Sequence, residues 1–437
     1  MKKIVLSALA ALTLGSIAAT ADDVKFYTDA NGQVFTTPAE GRTELVSKET
    51  PVFMKGVKLE FSGTHYFGLT SAAPTTTETV AGGDQSKYPE TSTGFEMRRN
   101  YVQVKAFFND KDYFRVTLDA TKELASTTSY AYPFVKYAYL YLDEVLPFTG
   151  TEIGIVHRPW IDYEEHNAWH YRSFNKVMLE EKGTATEAGV DLVNSADLGV
   201  NFKTKTEFFS SEIGVFNGEG YHADKDAANQ ENSGDLSLEW RLTGHLLGDG
   251  KKVGKNDRTK ATYAHISTYG LISKNHKDAS ATLNQISTDA LKSEYDRLFY
   301  GAHVVYNQPE FLIAAQYAMA KDEAQDEAVA ANWAKRDYSV WSINGEYRPI
   351  KDWTVIGRYD NYTMDDTSMN GTDMSSSVAG SKIIAGLAYK YSKNVSFIGS
   401  GKFINEKYTT AEVPKYTDGS DTGESKNVYM LTTEVKW

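Results

Sequence analysis

The feature that most constrains this chain is a strict alternation of apolar and polar side chains in many short segments. In the last segment, Tyr429, Leu431 and Trp437 fall on one face, whereas Glu434 and Lys436 fall on the other. A period of two is typical of a β-strand with one apolar face. After residue 21 no run approaches the ~18 apolar residues of a membrane helix, and the mean hydropathy is −0.45. If the chain crosses a membrane, we expect it to do so with strands.

Sixteen such segments recur along the chain, and several reach the ~9–11 residues that a tilted strand needs to cross a bilayer. They are residues 57–69, 95–108, 112–120, 135–143, 151–157, 195–203, 208–216, 235–246, 260–272, 296–307, 311–319, 336–348, 353–363, 381–391, 395–407 and 426–437. Short turns alternate with long polar connections, which is typical of outer-membrane barrels. The sequence therefore predicts an all-β fold, a transmembrane antiparallel β-barrel of sixteen strands with short periplasmic turns and long extracellular loops.

Three regions follow from this prediction. Lys2, Lys3, an apolar stretch and the small residues 19–21 predict a secretory signal peptide over residues 1–21. Residues 22–56 are a periplasmic N-terminal extension, in which residues 29–32 (DANG) predict a hairpin turn. Residues 57–437 form the barrel, in the outer membrane of a Gram-negative bacterium. A soluble β-sandwich is the alternative, and it leaves the terminal aromatic residue unexplained.

Composition limits the classes of function. The formal net charge of −12 argues against a nucleic-acid partner, because phosphates require a basic face. The chain has no cysteine, so it has neither a disulfide nor a thiolate metal site. His166 and His170 are four residues apart, but Asn167 stands where the H-E-x-x-H metal motif has glutamate. We expect no cofactor, no metal and no enzymatic activity.

Barrel strands alternate between lipid and lumen, so the polar faces predict which side chains line the pore. The predicted lining residues are Arg99, Lys105, Arg115, Arg241, His245, Arg297, His303, Arg348, Arg358, Lys382, Lys390 and Lys402, with Lys436 at the end of the chain. Fewer acids fall on these faces: Asp119, Asp143, Glu239, Glu346, Asp360 and Glu434. A basic lumen favours anions. The alternative is that bases and acids pair across strands and only keep the lumen wet.

The longest connection, residues 158–194, is unusually rich in tryptophan, tyrosine, histidine and arginine for a solvated loop. We expect it to fold into the barrel and narrow the channel. The side chains expected to act there are Arg158, Trp160, His166, His170, Arg172 and Lys176. The alternative is an external loop that caps a trimer or binds lipopolysaccharide.

Residues 98–104 (RRNYVQV), 113–119 (YFRVTLD), 136–143 and 214–220 (GVFNGEG) resemble the phosphate-selective porin O and P family. The resemblance is confined to residues 95–220. It implies a sixteen-stranded homotrimeric porin with an in-folded third loop and a basic lining, in which Arg99 and Arg115 match the family motif. Three acids in the constriction loop, Asp162, Glu164 and Glu165, depart from what phosphate selectivity requires.

The sequence as a whole predicts an outer-membrane porin for passive diffusion of small hydrophilic solutes, with a preference for anions or phosphate. Its expected partners are membrane lipid and lipopolysaccharide. Two alternatives are a channel for hydrophobic compounds and a surface adhesin or receptor barrel. A membrane-embedded hydrolase would need an activated Ser–His pair on the lipid-facing side. His245 and His303 are predicted to face the lumen instead.

Overall fold

The computed structural model describes residues 27–29, 33–35, 37–44, 57–77, 92–121, 132–181, 188–218, 220–221, 236–248, 259–276, 295–325, 333–369, 373–412 and 421–437. The chain divides into two compact units, Met1–Lys58 and Leu59–Trp437. The predicted signal peptide lies outside the described residues. Within the described ranges, no helix combines the length and the apolar character that crossing a membrane requires.

The first unit contains a small antiparallel sheet. Strand β1 (Tyr27–Thr28) pairs with both β2 (Val34–Phe35) and β3 (Thr43–Glu44). The backbone N–H of Gln33 donates to Asp29 Oδ1 at 2.9 Å, and the N–H of Asp29 donates to the Gln33 carbonyl at 3.1 Å. These bonds join the two ends of the predicted hairpin turn, whose residues 30–32 lie outside the described part.

The second unit is a closed barrel of sixteen antiparallel strands, so the predicted fold class is confirmed. The strands are β4 (Lys58–Thr77), β5 (Ser92–Phe107), β6 (Tyr113–Asp119), β7 (Phe134–Leu146), β8 (Thr149–His157), β9 (Ala196–Lys205), β10 (Phe209–Phe216), β11 (Ser237–Leu247), β12 (Tyr263–His276), β13 (Tyr295–Asn307), β14 (Phe311–Gln325), β15 (Trp333–Tyr347), β16 (Trp353–Met369), β17 (Asp373–Lys390), β18 (Val395–Glu412) and β19 (Asp421–Lys436). Pairing of β19 with β4 closes the cylinder, so each of the sixteen barrel strands has a neighbour on both sides.

Side chains alternate across the barrel wall as the sequence pattern predicts. In β11, Leu238 and Leu242 are exposed on the outside, whereas Glu239, Arg241 and Thr243 are buried on the inside. An apolar exterior and a polar interior suit a wall that separates lipid from water.

Most of the longer connections, including loop 158–194, join the strands at one end of the barrel, here called the loop end. Most of the short turns join them at the other end, here called the turn end, where the connection between β11 and β12 is a long exception. Several strands extend further toward the loop end than their apolar alternation predicts, and β17 reaches 18 residues. Ile383 and Leu387 cover its outer face near the turn end, whereas Ser375 and Ser377 stand on the same side near the loop end. Near the loop end, other strands carry charged pairs, such as Lys335 with Asp337 on β15 at 2.6 Å.

The C-terminal residue lies on the closure seam between β19 and β4. The N–H of Gly63 donates to the Trp437 carbonyl at 2.8 Å, and the N–H of Trp437 donates to the Gly63 carbonyl at 3.1 Å. The Trp437 indole stacks on His65 and donates to its Nε2 at 2.9 Å.

The apolar core of the barrel unit is formed largely by loop 158–194, described over residues 158–181 and 188–194. The loop contains helix α1 (Ile161–Asn167) and a 3-10 turn at Met178–Glu180. Trp169, Phe174 and Leu179 are fully buried, and they belong to one cluster with side chains of the inner wall such as Phe299 and Val340. The loop therefore lies against the inside of the barrel.

Candidate functional site

Side chains of the wall form hydrogen bonds with the backbone of loop 158–194 at several points. Irregular backbone away from water needs hydrogen-bond partners, and six inward side chains on six strands donate to loop carbonyls. The donors and the carbonyls they reach are Arg241 and Pro159 (3.1 Å), Tyr263 and Asn167 (2.7 Å), Arg297 and Leu192 (2.9 Å), Asn344 and Ala168 (2.9 Å), Arg358 and Lys176 (2.7 Å), and Lys382 and Ala188 (2.7 Å). Four of the basic residues expected to line the pore are therefore loop anchors.

All four basic anchors also form buried ion pairs, and the pair of Arg241 is with Glu212 at 3.1 Å. Arg297 binds Asp322 at 2.8 Å, whereas Arg358 and Lys382 share Asp360 at 2.7 and 3.5 Å. The side chain of Lys382 is 0% exposed. Because a buried charge is tolerated when it is both paired and hydrogen-bonded, these cations are satisfied by the wall and the loop. Solutes do not reach them.

Helix α1 covers a patch of three inward histidines. His245 and His265 are cross-strand neighbours whose ring centroids lie 4.4 Å apart. His265 Nδ1 lies 2.8 Å from the Tyr163 hydroxyl, and the His303 ring lies edge-on to Trp160. His303, predicted as a lining residue, is thus buried beneath the loop, and His245, also predicted as one, is buried beside His265. His265 was not singled out from the sequence, although it occupies the inward face of β12.

Glu164 of helix α1 points into the wall. It is 2% exposed and accepts hydrogen bonds from Trp160 Nε1 at 2.9 Å and from Gln316 Nε2 at 2.6 Å. Burial raises the pKa of Glu164 to about 8, against the opposing effect of the Arg358 charge. Near neutral pH this carboxyl is therefore mostly protonated, and it adds little negative charge to the channel.

Three other acids of the loop, Asp162, Glu165 and Glu180, lie beside bases. Arg172 donates to both Glu165 and Glu180, the second through two nitrogens. Burial acts to raise the pKa of Asp162, but the charges of His166 and His157 hold it below its ordinary value. In turn, the Asp162 carboxylate raises the pKa of His166. Of the three acids that depart from the family pattern, Glu164 is mostly protonated, Asp162 faces two histidines, and Glu165 shares the single charge of Arg172 with Glu180.

Strands β4 to β8 carry a column of basic side chains interleaved with tyrosines. The cations stand over tyrosine rings: Arg99 is 4.3 Å from the centroid of Tyr101, Arg115 is 4.6 Å from Tyr137, and Lys105 is 4.5 Å from Tyr113. Arg115 also donates to the Tyr139 hydroxyl at 3.2 Å. Within the described part of the chain, neither Arg99 nor Arg115 forms an ion pair. Their positive charge is therefore not neutralised by a contacting carboxylate.

The remaining candidate residues lie in several places. Arg158 is fully buried and pairs with Glu239 at 2.6 Å, and Trp160 stacks on Tyr269 with centroids 3.6 Å apart. His166 is exposed, whereas His170 and Lys176 are half-buried.

The other predicted lining residues lie on the strands. Arg348 donates to Asn307 Oδ1 near the turn end. Lys390 is exposed where β17 ends, and Lys402 is buried on β18. Lys436 pairs with Glu434 at 3.2 Å.

Sequence reasoning missed several inward charges. The missed acids are Glu96, Glu152, Glu212, Asp322, Asp366 and Glu406, and the missed bases are Arg98, Lys136, Lys203, Arg336 and Lys426. Many of them pair with one another, as Arg336 does with Asp366. Asp322 and Asp366 lie beyond the predicted ends of their strands, whereas the other nine lie within predicted segments and were not assigned to the inward face. The inner wall is therefore closer to charge balance than the sequence tally indicates.

In the described ranges, no group of three histidine, aspartate or glutamate side chains is arranged to hold a metal ion. His166 Nδ1 lies 2.7 Å from the backbone carbonyl of Asp162. His166 and His170 are the two histidines whose spacing was compared with a metal motif, and this contact occupies one ring nitrogen of His166.

Comparisons with known proteins address the fold. No family model and no curated protein sequence matches the chain. Among solved structures, an anion-selective porin from Comamonas acidovorans has a TM-score of 0.55 at 12% identity, covering 87% of this chain and 100% of that chain. OmpT, an outer membrane protein of Vibrio cholerae in a trimer form, has a TM-score of 0.51 at 14% identity, with coverages of 87% and 100%. The chain therefore has the barrel fold of outer-membrane porins.

Proposed function

We propose that this chain is an outer-membrane porin that passes small hydrophilic solutes by diffusion, with a preference for anions, and that it catalyses no reaction. The observation that carries the anion preference is the column on β4 to β8. There Arg99 and Arg115 stand over tyrosine rings and, among the described residues, form no ion pair. Fixed positive charge beside a narrow aqueous path raises the local concentration of anions.

The fold likeness supports this proposal, because one of the similar barrels is described as an anion-selective porin. The resemblance of residues 95–220 to the phosphate-selective porin O and P family supports it from the sequence side. Phosphate selectivity within that family is the finer form of the proposal. Phosphate selectivity requires the positive charge of the basic column to exceed any net negative charge of loop 158–194.

We also propose a homotrimer, embedded in outer-membrane lipid and lipopolysaccharide. The family resemblance implies trimers, and the similar OmpT barrel is described in a trimer form. Electrophoresis of unheated protein is expected to show a species about three times the monomer mass that collapses on boiling. Migration of the unheated protein as a monomer would contradict the trimer.

The decisive experiment for the channel is the reversal potential of the purified protein in a planar bilayer under a KCl gradient. We expect discrete conductance steps and a potential whose sign shows chloride more permeant than potassium. A cation-selective reversal potential would overturn the anion preference. A complete lack of conductance from correctly folded protein would overturn the porin itself.

A further inference from the structure

His157 is the last residue of β8 and lies between the basic column and the start of loop 158–194. Its side chain is buried, and its ring lies against Tyr137 with centroids 4.3 Å apart and edge-on to Tyr139 at 5.5 Å. It also contacts Arg115, one of the two cations on which the proposed anion preference rests. A change in the charge of His157 would therefore act on the column directly.

Two groups from different elements approach the same nitrogen of His157. Nε2 lies 3.2 Å from Arg115 Nη1 on β6 and 3.7 Å from Asp162 Oδ1 on helix α1. The other ring nitrogen, Nδ1, lies 3.3 Å from Glu152 Oε2. A neutral imidazole has one N–H donor and one acceptor, whereas an imidazolium has two donors. The neighbours of Nε2 are therefore a donor that suits the neutral ring and an acceptor that suits the charged ring.

In the neutral state, the hydrogen on Nδ1 is donated to Glu152, and the lone pair of Nε2 accepts a hydrogen bond from Arg115. The same guanidinium donates from Nε to the Thr117 hydroxyl at 3.0 Å and from Nη1 to the Tyr139 hydroxyl at 3.2 Å. Three acceptors thus hold the guanidinium against the wall.

Uptake of a proton from water at Nε2 turns this nitrogen into a donor. It then no longer accepts the hydrogen bond from Arg115, and its hydrogen is available to the Asp162 carboxylate. The charged ring is flanked by two carboxylates, Glu152 and Asp162, which compensate the cost of burying its charge. Whatever the balance of charge around the neutral ring, this protonation adds one positive charge next to Arg115.

The charged and titratable groups around His157 and its partners come from six elements. They are Arg115 on β6, Tyr137 and Tyr139 on β7, Glu152 on β8, Lys203 on β9, Glu212 on β10, and Asp162 and His166 on helix α1. Lys203 lies 3.3 Å from Glu152, and His166 lies 3.4 Å from Asp162, so each carboxylate is shared with another base. Histidine is the side chain that ordinarily changes charge between about pH 5 and pH 8, and this range is where the charge of His157 is tested.

We propose that His157 is a pH-dependent determinant of ion selectivity, neutral and bonded to Arg115 at alkaline pH and a second fixed cation beside it at acid pH. Fixed positive charge in the channel wall raises the local concentration of anions, so anion preference rises as the medium is acidified. This inference rests on the proposed channel function and specifies how its selectivity is regulated.

The test is the reversal potential under a KCl gradient at pH 8 and at pH 5, in the unaltered protein and in His157→Gln. We expect acid to raise the chloride-to-potassium permeability ratio of the unaltered protein about two- to fivefold more than that of the variant. Other groups that change charge in this range, such as Glu164, are common to both proteins and cancel in the comparison. At pH 8 the two ratios should be similar, because glutamine is neutral and its amide oxygen can accept from Arg115.

Glu152→Gln is a second variant, which keeps His157 but removes the carboxylate beside Nδ1. The charged ring is then less well compensated, so the rise in the permeability ratio should require a lower pH. His65→Gln is the matched control, because His65 stacks on Trp437 at the closure seam and alternates with the exposed Phe67 on the outer face. This control should show the same rise as the unaltered protein.

An equal rise in His157→Gln and in the unaltered protein would overturn the role of His157 and assign the response to another group. A permeability ratio of the unaltered protein that does not depend on pH would overturn it as well. If His157→Gln does not fold, a rise at an unchanged pH in Glu152→Gln has the same meaning. In all these cases an anion-selective potential at pH 8 would leave the channel proposal standing. A cation-selective potential at pH 8 would instead defeat the proposed anion preference, whatever the effect of acid.

Discussion

Inward-facing basic residues have two different surroundings in this barrel. Lys382 and Arg358 are enclosed by the loop, and each contacts both a carboxylate and a backbone carbonyl. Arg99 and Arg115 stand over tyrosine rings, where the attraction comes from the ring face and leaves the net charge unchanged. The position of a residue on the inward face therefore does not by itself decide whether a solute meets its charge.

Replacement of Arg99 or Arg115 by glutamine should reduce anion preference. Each change removes one positive charge that no contacting carboxylate balances, so we expect the chloride-to-potassium permeability ratio to fall about two- to fivefold. The measurement is the reversal potential under a KCl gradient, with Lys351→Gln as the control. An unchanged ratio in both arginine variants would mean that the basic column does not line the conducting path.

Glu164 makes the docking of helix α1 sensitive to pH. Its pKa is about 8 in the docked loop against an ordinary 4.5, so its contribution to docking is fully present below about pH 4.5 and is lost as the pH rises through 8. Current fluctuations of single channels should therefore increase between pH 6 and pH 9. Glu164→Gln removes the ionisation, and its fluctuations should not change over this range. The same increase in that variant would assign the effect to another group.

At the scale of single residues, the sequence predicted the inward face of many positions but not their contacts. Arg297 and the Leu192 carbonyl are 105 positions apart, and Lys382 and the Ala188 carbonyl are 194 apart. Such contacts depend on the path of an irregular loop, and alternation carries no information about that path. The same reason explains why His303 was expected to line the lumen and instead lies against Trp160 and Tyr163 of the loop.

Among the elements, loop 158–194 is the one whose high content of aromatic residues is matched by extensive packing against the barrel wall. Its aromatic residues form a small core with the wall, in which Trp169 and Phe174 are fully buried. The unusual number of aromatic residues in the loop was the sequence feature that predicted its folding into the barrel. The polar wall supplies donors for the loop backbone, and the loop shields those donors from the lumen.

Lys382→Met should loosen the second half of this loop. Methionine keeps the length of the side chain, but the Ala188 carbonyl loses its donor and Asp360 keeps only Arg358 as a cation. We expect a local cost on the order of 3 kcal/mol, seen as faster protease cleavage within residues 158–194 and as noisier current. Lys393→Met, at an exposed turn, should behave as the unaltered protein. Wild-type cleavage and noise in Lys382→Met would mean that this anchor is dispensable.

The sixteen barrel strands were predicted in number and order, whereas the lengths of several were underestimated. The predicted segments 381–391 and 395–407 correspond to β17 and β18, which span Asp373–Lys390 and Val395–Glu412. Apolar alternation requires a lipid-facing side, so it ends where the outer face meets water. Hydrogen-bonded pairing continues beyond that point, because each backbone group still finds its neighbour across the ladder.

For the whole molecule, closure depends on the contact between the first and last barrel strands. Trp437→Ala removes the stacking on His65 and one hydrogen bond at the seam. We expect slower folding into detergent micelles and a lower unfolding temperature, with unchanged ion selectivity. The loss should be on the order of 1–2 kcal/mol, measured by the temperature at which heat-modified mobility appears. Tyr391→Ala, at an exposed turn and away from the seam, should show no such loss.

The height of the wall has a consequence for how solutes approach the mouth. An 18-residue strand tilted by about 40° rises roughly 45 Å, whereas the apolar band of such barrels is about 25 Å tall. The rim at the loop end therefore stands roughly 20 Å above the hydrocarbon, which exceeds two Debye lengths of about 8 Å at physiological salt. If the chain lies in the outer membrane as proposed, an incoming anion would reach the opening at a height where salt screens most of the repulsion from the phosphorylated lipid surface. The tall rim would let a channel for negative solutes work within a negatively charged membrane.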